Sequence, residues 1–146
     1  VNGIKQLKLV PKGIRRGNGG LAQPWNEIVL HYKDLVENYH WQFEPMLGLV
    51  EALAASTASC DLFPTTSMHR LLVTDSEKFH HDDNVLFVSY DQKKKEFEFE
   101  HRTLSGKNDK KICDKEDALE TLRLFLKYKF GVLFDSKAKA KNTFGN

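Results

Sequence analysis

The chain contains no apolar run of about eighteen residues, so no membrane-spanning helix is expected. Its basic N-terminal stretch has no apolar segment of the kind a secretory leader carries, so no leader is expected either. Cysteine is scarce. Cys60 and Cys113 show neither metal-ligand nor redox spacing, which removes zinc-ribbon and dithiol chemistry from consideration. Two buried free thiols and a cytoplasmic location are the expectation, with a single bridge left for geometry to decide. Proline occurs four times, and each copy falls at a boundary. No internal repeat is present.

The recognisable catalytic signatures are absent as well. Gly17-Asn18-Gly19-Gly20 has the glycine density of a phosphate loop, but no lysine-serine follows it, so it reads as flexible chain. Serines, cysteines and histidines occur without a nucleophile elbow. No cofactor is expected.

The 40% hydrophobic and 29% charged fractions over 146 residues are those of one globular domain with a sizeable core. The formal charge of +2 conceals an asymmetry. Residues 1–24 carry Lys5, Lys8, Lys12, Arg15 and Arg16 with no acid, a charge of +5, and residues 136–146 carry Lys137, Lys139 and Lys141 with no acid, a charge of +3. Subtracting both from the net charge leaves −6 on residues 25–135. The reading is therefore a basic flexible arm or edge strand (1–24), one acidic domain (25–135) and a basic tail (136–146).

The clearest local signal is Glu96-Phe97-Glu98-Phe99-Glu100-His101. Strict alternation is a strand with one buried and one wet face, and hence an antiparallel sheet covered on one side. Around it, Trp25 to Tyr39 has helical spacing at Trp25, Ile28, Val29, Tyr32, Leu35, Val36 and Tyr39. Pro45 opens a second, more apolar helix from Met46 to about Ala55. Leu62 to Ser67, broken by Pro64, reads as a loop. Met68–Thr74 and the doubly apolar Val85–Tyr90 read as strands, Asp91–Lys95 as a hairpin turn, and Lys110–Cys113 as a short fourth strand. Asp114 is placed to cap a last helix running to about Lys129, with Leu119, Leu122, Phe125 and Leu126 inward and Gly131 as its stop. The expected fold is α+β: two N-terminal helices, a three- or four-stranded antiparallel sheet with one open face, and a C-terminal helix, all helices on one side.

Three functional readings compete. Glu96, Glu98 and Glu100 lie on the open face of an acidic body, which points to a non-catalytic protein-binding module with a basic partner, of adaptor or toxin-neutralising (immunity) type. The strand spacing of about 6.5–7 Å between these carboxylates matches an inverting glycosidase numerically, but a flat strand supplies no cleft. A hydrolase or other enzyme would instead need a pocket gathering His69, Arg70, His80, His81 or His101. His80-His81-Asp82-Asp83 has metal-ligand residue types, yet adjacent side chains in extended chain point apart. The third reading is nucleic-acid or anion binding through Lys5, Lys8, Lys12, Arg15 and Arg16, since the acidic body disfavours phosphate contacts. Oligomeric state is left open.

Overall fold

The computed structural model describes residues 22–77 and 84–135. Helix α1 (Trp25–Glu37) and helix α2 (Glu44–Ala54) lead through a 3-10 turn (Thr57–Cys60) into five strands. These are β1 (Phe63–Ser67), β2 (Arg70–Thr74), β3 (Val85–Asp91), β4 (Glu96–Arg102) and β5 (Asp109–Asp114). Helix α3 (Lys115–Phe125) and a π-helical turn (Leu126–Phe130) close the fold. The strands lie side by side in sequence order, and every neighbouring pair is antiparallel. This is an α+β protein with its helices on one side of a meander.

The sheet has one strand more than the sequence suggested, because Phe63–Ser67 is an edge strand and not a loop. Proline is tolerated at a sheet edge where its missing N–H faces away from the ladder. Pro64 meets that condition: its carbonyl accepts the Gln23 N–H at 2.9 Å, so its backbone polar groups point away from β2. The next strand begins at Arg70, not Met68, because Met68 and His69 form the two-residue turn between β1 and β2.

Alternation fixes the two faces. Phe97, Phe99 and His101 of β4 stand opposite Tyr90, Val88 and Leu86 of β3, and all six are buried. Leu71 and Val73 of β2 continue this inner face. The helices cover it with Ile28, Tyr32 and Leu35 from α1, Met46, Val50 and Leu53 from α2, and Leu122 and Leu126 from the C-terminal segment. Rings thread the core in a nearly continuous series. Tyr32, Phe43, Tyr90, Phe97, Phe99 and Phe125 follow one another at centroid separations of 6.3, 5.6, 4.8, 6.1 and 5.9 Å. Each fully buried ring contributes about 1.5–3 kcal/mol relative to exposure, so this series adds to the aliphatic core in joining helices and sheet.

The helix boundaries follow local chemistry. Pro24 is extended immediately before α1, and Pro45 sits in the first turn of α2, where a missing N–H costs nothing. Tyr39 lies beyond the end of α1 and is 63% exposed, so it drops out of the expected apolar stripe. The Asp114 carboxylate accepts the Asp117 N–H at 3.2 Å, the expected N-cap of α3. The inner stripe of α3 holds Leu122, Phe125 and Leu126 as expected, but Leu119 is 43% exposed and Ala118 takes its inward place, because Ala118, Leu122 and Leu126 follow one i, i+4 line. Gly131, at φ 68°, stops the segment as expected, its N–H donating to the Lys127 carbonyl at 3.1 Å. Both cysteines are free. Cys113 is half-buried, and burial pushes its thiol up; Cys60 is exposed rather than buried, the inward place in its turn being taken by Ala58.

No helix among the described residues is long and apolar enough to cross a membrane.

Candidate functional site

Among the described residues no helix packs on the outer face of the sheet, although Thr65, Thr74 and Val85 on that face are buried. Its β4 residues are Glu96, Glu98, Glu100 and Arg102, and the three glutamates are not equivalent. Glu100 is paired with Arg102 at 3.2 Å and Glu98 with Lys110 at 3.5 Å. Glu96 makes no ion pair among the described residues, and it is exposed. The face is also less purely acidic than its alternation implied. Phe87 of β3 stands opposite Glu100, with the guanidinium groups of Arg70 and Arg102 4.9 and 4.2 Å from its ring centre. Such contacts hold cationic side chains flat against a ring. The result is a mixed, amphipathic surface in which Asp91, Glu96, Glu98, Glu100 and Asp114 outnumber Arg70, Arg102 and Lys110.

At one end of the sheet this face runs into a groove of about 480 Å³. The β1–β2 turn, the β3–β4 turn and the α1–α2 linker meet there. Buried Phe43, Tyr90 and Phe97 form its floor, Trp41 and His69 a wall, and Met68, 86% exposed, stands at its lip. Ile112 of β5, 55% exposed, lies at the mouth beside Glu96 and Glu98. Arg70, Lys93, Lys94 and Asp91 complete a charged rim.

Side-chain contacts, more than ladder bonds, hold the parts of this end together. The Gln42 N–H donates to Gln92 Oε1 at 2.8 Å, tying the linker to the β3–β4 turn. Within that turn the Asp91 carboxylate accepts the Lys93 and Lys94 amides at 2.9 and 3.1 Å. These amides, Lys94 first, hold the Asp91 carboxyl below its ordinary range. On the other side, the Tyr32 hydroxyl donates to the His69 carbonyl at 2.9 Å, and burial pushes that hydroxyl far above its ordinary range. His69 Nδ1 lies 3.3 Å from His31 Nε2, the two rings being nearly parallel. The Trp41 ring meets His69 edge-on, at 4.7 Å between centroids. Burial, then the neighbouring His69, lowers the His31 imidazole, with Asp34 opposing; burial also lowers His69.

Met68 (φ 53°) and His69 (φ 65°) are both left-handed. A two-residue antiparallel hairpin favours that backbone, with Asn-Gly the usual sequence. With L side chains it costs roughly 1–2 kcal/mol per residue.

The two histidines named from the sequence that lie among the described residues, His69 and His101, do not converge. His101 lies on the inner face, at the other end of β4 from the groove. There it bonds Asn84, meets Phe130 edge-on at 5.7 Å and sits between Lys129 and Asp109. Burial, then Lys129, lowers its imidazole. His80 and His81 lie outside the described residues, as do Lys5, Lys8, Lys12, Arg15 and Arg16 and the lysines of the tail. No group of three His, Cys, Asp or Glu among the described residues is placed to hold a metal ion. Sequence reading did not find His31 or Tyr32 as site residues, nor the wall made by Trp41. The one available signal was Trp41-Gln42-Phe43, two aromatics in a linker too short to bury both.

Fold and groove together define a five-stranded α+β protein with an aromatic-floored recess at one end of its sheet. Comparison with protein-family models, curated proteins and solved structures returns no match for the chain.

Proposed function

We propose that this chain is a non-catalytic protein-binding module whose partner lies across the outer sheet face and anchors an apolar side chain in the groove. The carrying observation is the juxtaposition at the groove mouth. Met68 and Ile112 are large, apolar and 86% and 55% exposed, and they line the same groove as Glu96, an exposed carboxylate with no ion pair among the described residues. Apolar anchors in a recess ringed by charge are how binding energy concentrates at protein interfaces. The excess of acids on this face, within a body of charge −6, favours a basic partner and speeds its encounter. An adaptor and a neutraliser of a basic toxin both fit this chemistry.

The test is site-specific photo-crosslinking in the source cell. A crosslinker at position 112 captures a basic polypeptide, Glu96→Lys abolishes the capture, and a crosslinker at position 30, on the exposed side of α1, captures nothing. Equal capture from both positions overturns the proposal.

A further inference from the structure

We propose that His31 and His69 form a proton-operated latch that holds the Met68–His69 hairpin tip, and with it one wall of the groove, against α1. The tip is a left-handed pair without glycine, so it tends to relax unless something holds it. Besides the Ser67–Arg70 pairing that closes the hairpin, three contacts do so, all to α1 or the linker that follows it. They are the Tyr32 hydroxyl on the His69 carbonyl (2.9 Å), the ring nitrogens of His69 and His31 (3.3 Å) and the Trp41 edge on the His69 ring (4.7 Å).

Of these only the imidazole pair changes with pH near neutrality. A nitrogen-to-nitrogen hydrogen bond needs one protonated and one bare nitrogen. With both rings neutral, one tautomer of each supplies that arrangement. One added proton preserves it, since an imidazolium still donates to a neutral ring. A second proton leaves two N–H groups and two like charges face to face, and the contact becomes repulsive. The pair therefore titrates as a unit, and its second step opens the latch.

The surrounding charges do not rescue the doubly charged state. From α1, Asp34 favours a charged His31, while Tyr32 is a neutral donor engaged elsewhere. From β2, Arg70 is drawn over Phe87, on the outer face. From the linker, Trp41 presents a ring with no charge. Among the described residues one carboxylate, Asp34, faces the two imidazolium groups, and burial opposes both.

The consequence for binding rests on the function proposed above: acid removes the His69 wall and weakens the partner's hold. The latch itself does not rest on it. NMR of the whole chain from pH 7.5 to 4.5 tests the latch directly. The His31 and His69 ring resonances are expected to move together, with the Met68 and Arg70 amides shifting in the same step. Exchange at those amides, corrected for its intrinsic pH dependence, should rise about tenfold or more as the tip opens. His31→Gln offers an amide N–H to neutral His69 and its Oε1 to the protonated ring and removes one charge, so the backbone step should vanish; His101→Gln should leave it in place. Two rings that titrate independently while the Met68 and Arg70 amides stay still overturn the latch, whatever the variants do. A latch that opens while affinity for the crosslinked partner is unchanged from pH 7.5 to 5 overturns instead the assignment of the groove as the binding site.

Discussion

The Tyr32 hydroxyl reaches across 37 positions of sequence to the main-chain carbonyl of His69, at 2.9 Å. A core side chain of the first helix thereby fixes the tip of the first hairpin. Removing the hydroxyl leaves a partly buried carbonyl without its donor, a loss of about 1–2 kcal/mol. Tyr32→Phe keeps the ring and its packing on Phe43, so the expected result is a lower urea midpoint with an unchanged slope. A midpoint equal to that of the parent would show that the hydroxyl carries no stability.

Met68 provides the complementary test. Its side chain is 86% exposed and its φ is 53°, so a glycine there loses little packing and relieves a left-handed backbone. Met68→Gly is expected to stabilise the fold by about 0.5–1 kcal/mol and to weaken the partner if Met68 is an anchor. Denaturation and binding measured on the same variant separate the two effects. A destabilised variant would mean that the methionine packs against the groove more than its exposure indicates.

These two residues also mark how far the sequence could be read. The β4 strand was legible because Phe97 and Phe99 alternate with glutamates, and the α3 cap because Asp114 precedes Glu116 and Asp117. The β1 strand was not, since Pro64-Thr65-Thr66 has no apolar alternation and depends on pairing with Leu71, Leu72 and Val73. The hairpin tip was hidden for a related reason: Met-His carries none of the turn chemistry that marks a two-residue loop. His31 and His69 meet through tertiary packing 38 residues apart, which no local pattern encodes. The paired state of Glu98 and Glu100 was likewise invisible, because it depends on the β4–β5 register that brings up Lys110 and on Arg102 sharing their face.

Stability should fall in acid in two stages with different causes. His31, His69 and His101 are all lowered in the folded state, so the unfolded chain binds protons first. Their contribution is complete above pH about 6.5, the ordinary histidine value, and is lost as pH falls through their folded values. Asp91, also lowered, holds its contribution above the ordinary aspartate value and loses it only at lower pH. Thermal melts from pH 8 to 3 should therefore decline first below neutrality and again in the carboxylate range. His101→Gln should flatten part of the first decline, and Asp91→Asn part of the second, to which Asp109, lowered by its bond to Lys129, also contributes. A melting temperature that is constant from pH 7 to 5 would contradict the histidine assignment.

Charge reversal at the three glutamates should separate what holds the sheet from what meets the partner. Glu100 has a side chain only 18% exposed and an ion pair with Arg102. Glu100→Lys replaces that attraction with repulsion beside Arg102 and Lys110, and is expected to cost about 1 kcal/mol, the upper end for a surface pair. Glu98, at 40% exposure and 3.5 Å from Lys110, should cost a few tenths of that scale. Glu96 has no ion pair to lose among the described residues, so Glu96→Lys should leave stability within about 0.5 kcal/mol of the parent. In association kinetics the order reverses. Glu96→Lys reverses the exposed negative charge at the groove mouth and should slow the on-rate most, with the difference shrinking at high salt. If Glu100→Lys slows binding more than Glu96→Lys in variants shown to be folded, the partner sits over Phe87 at the middle of the sheet, and the groove is not its anchor.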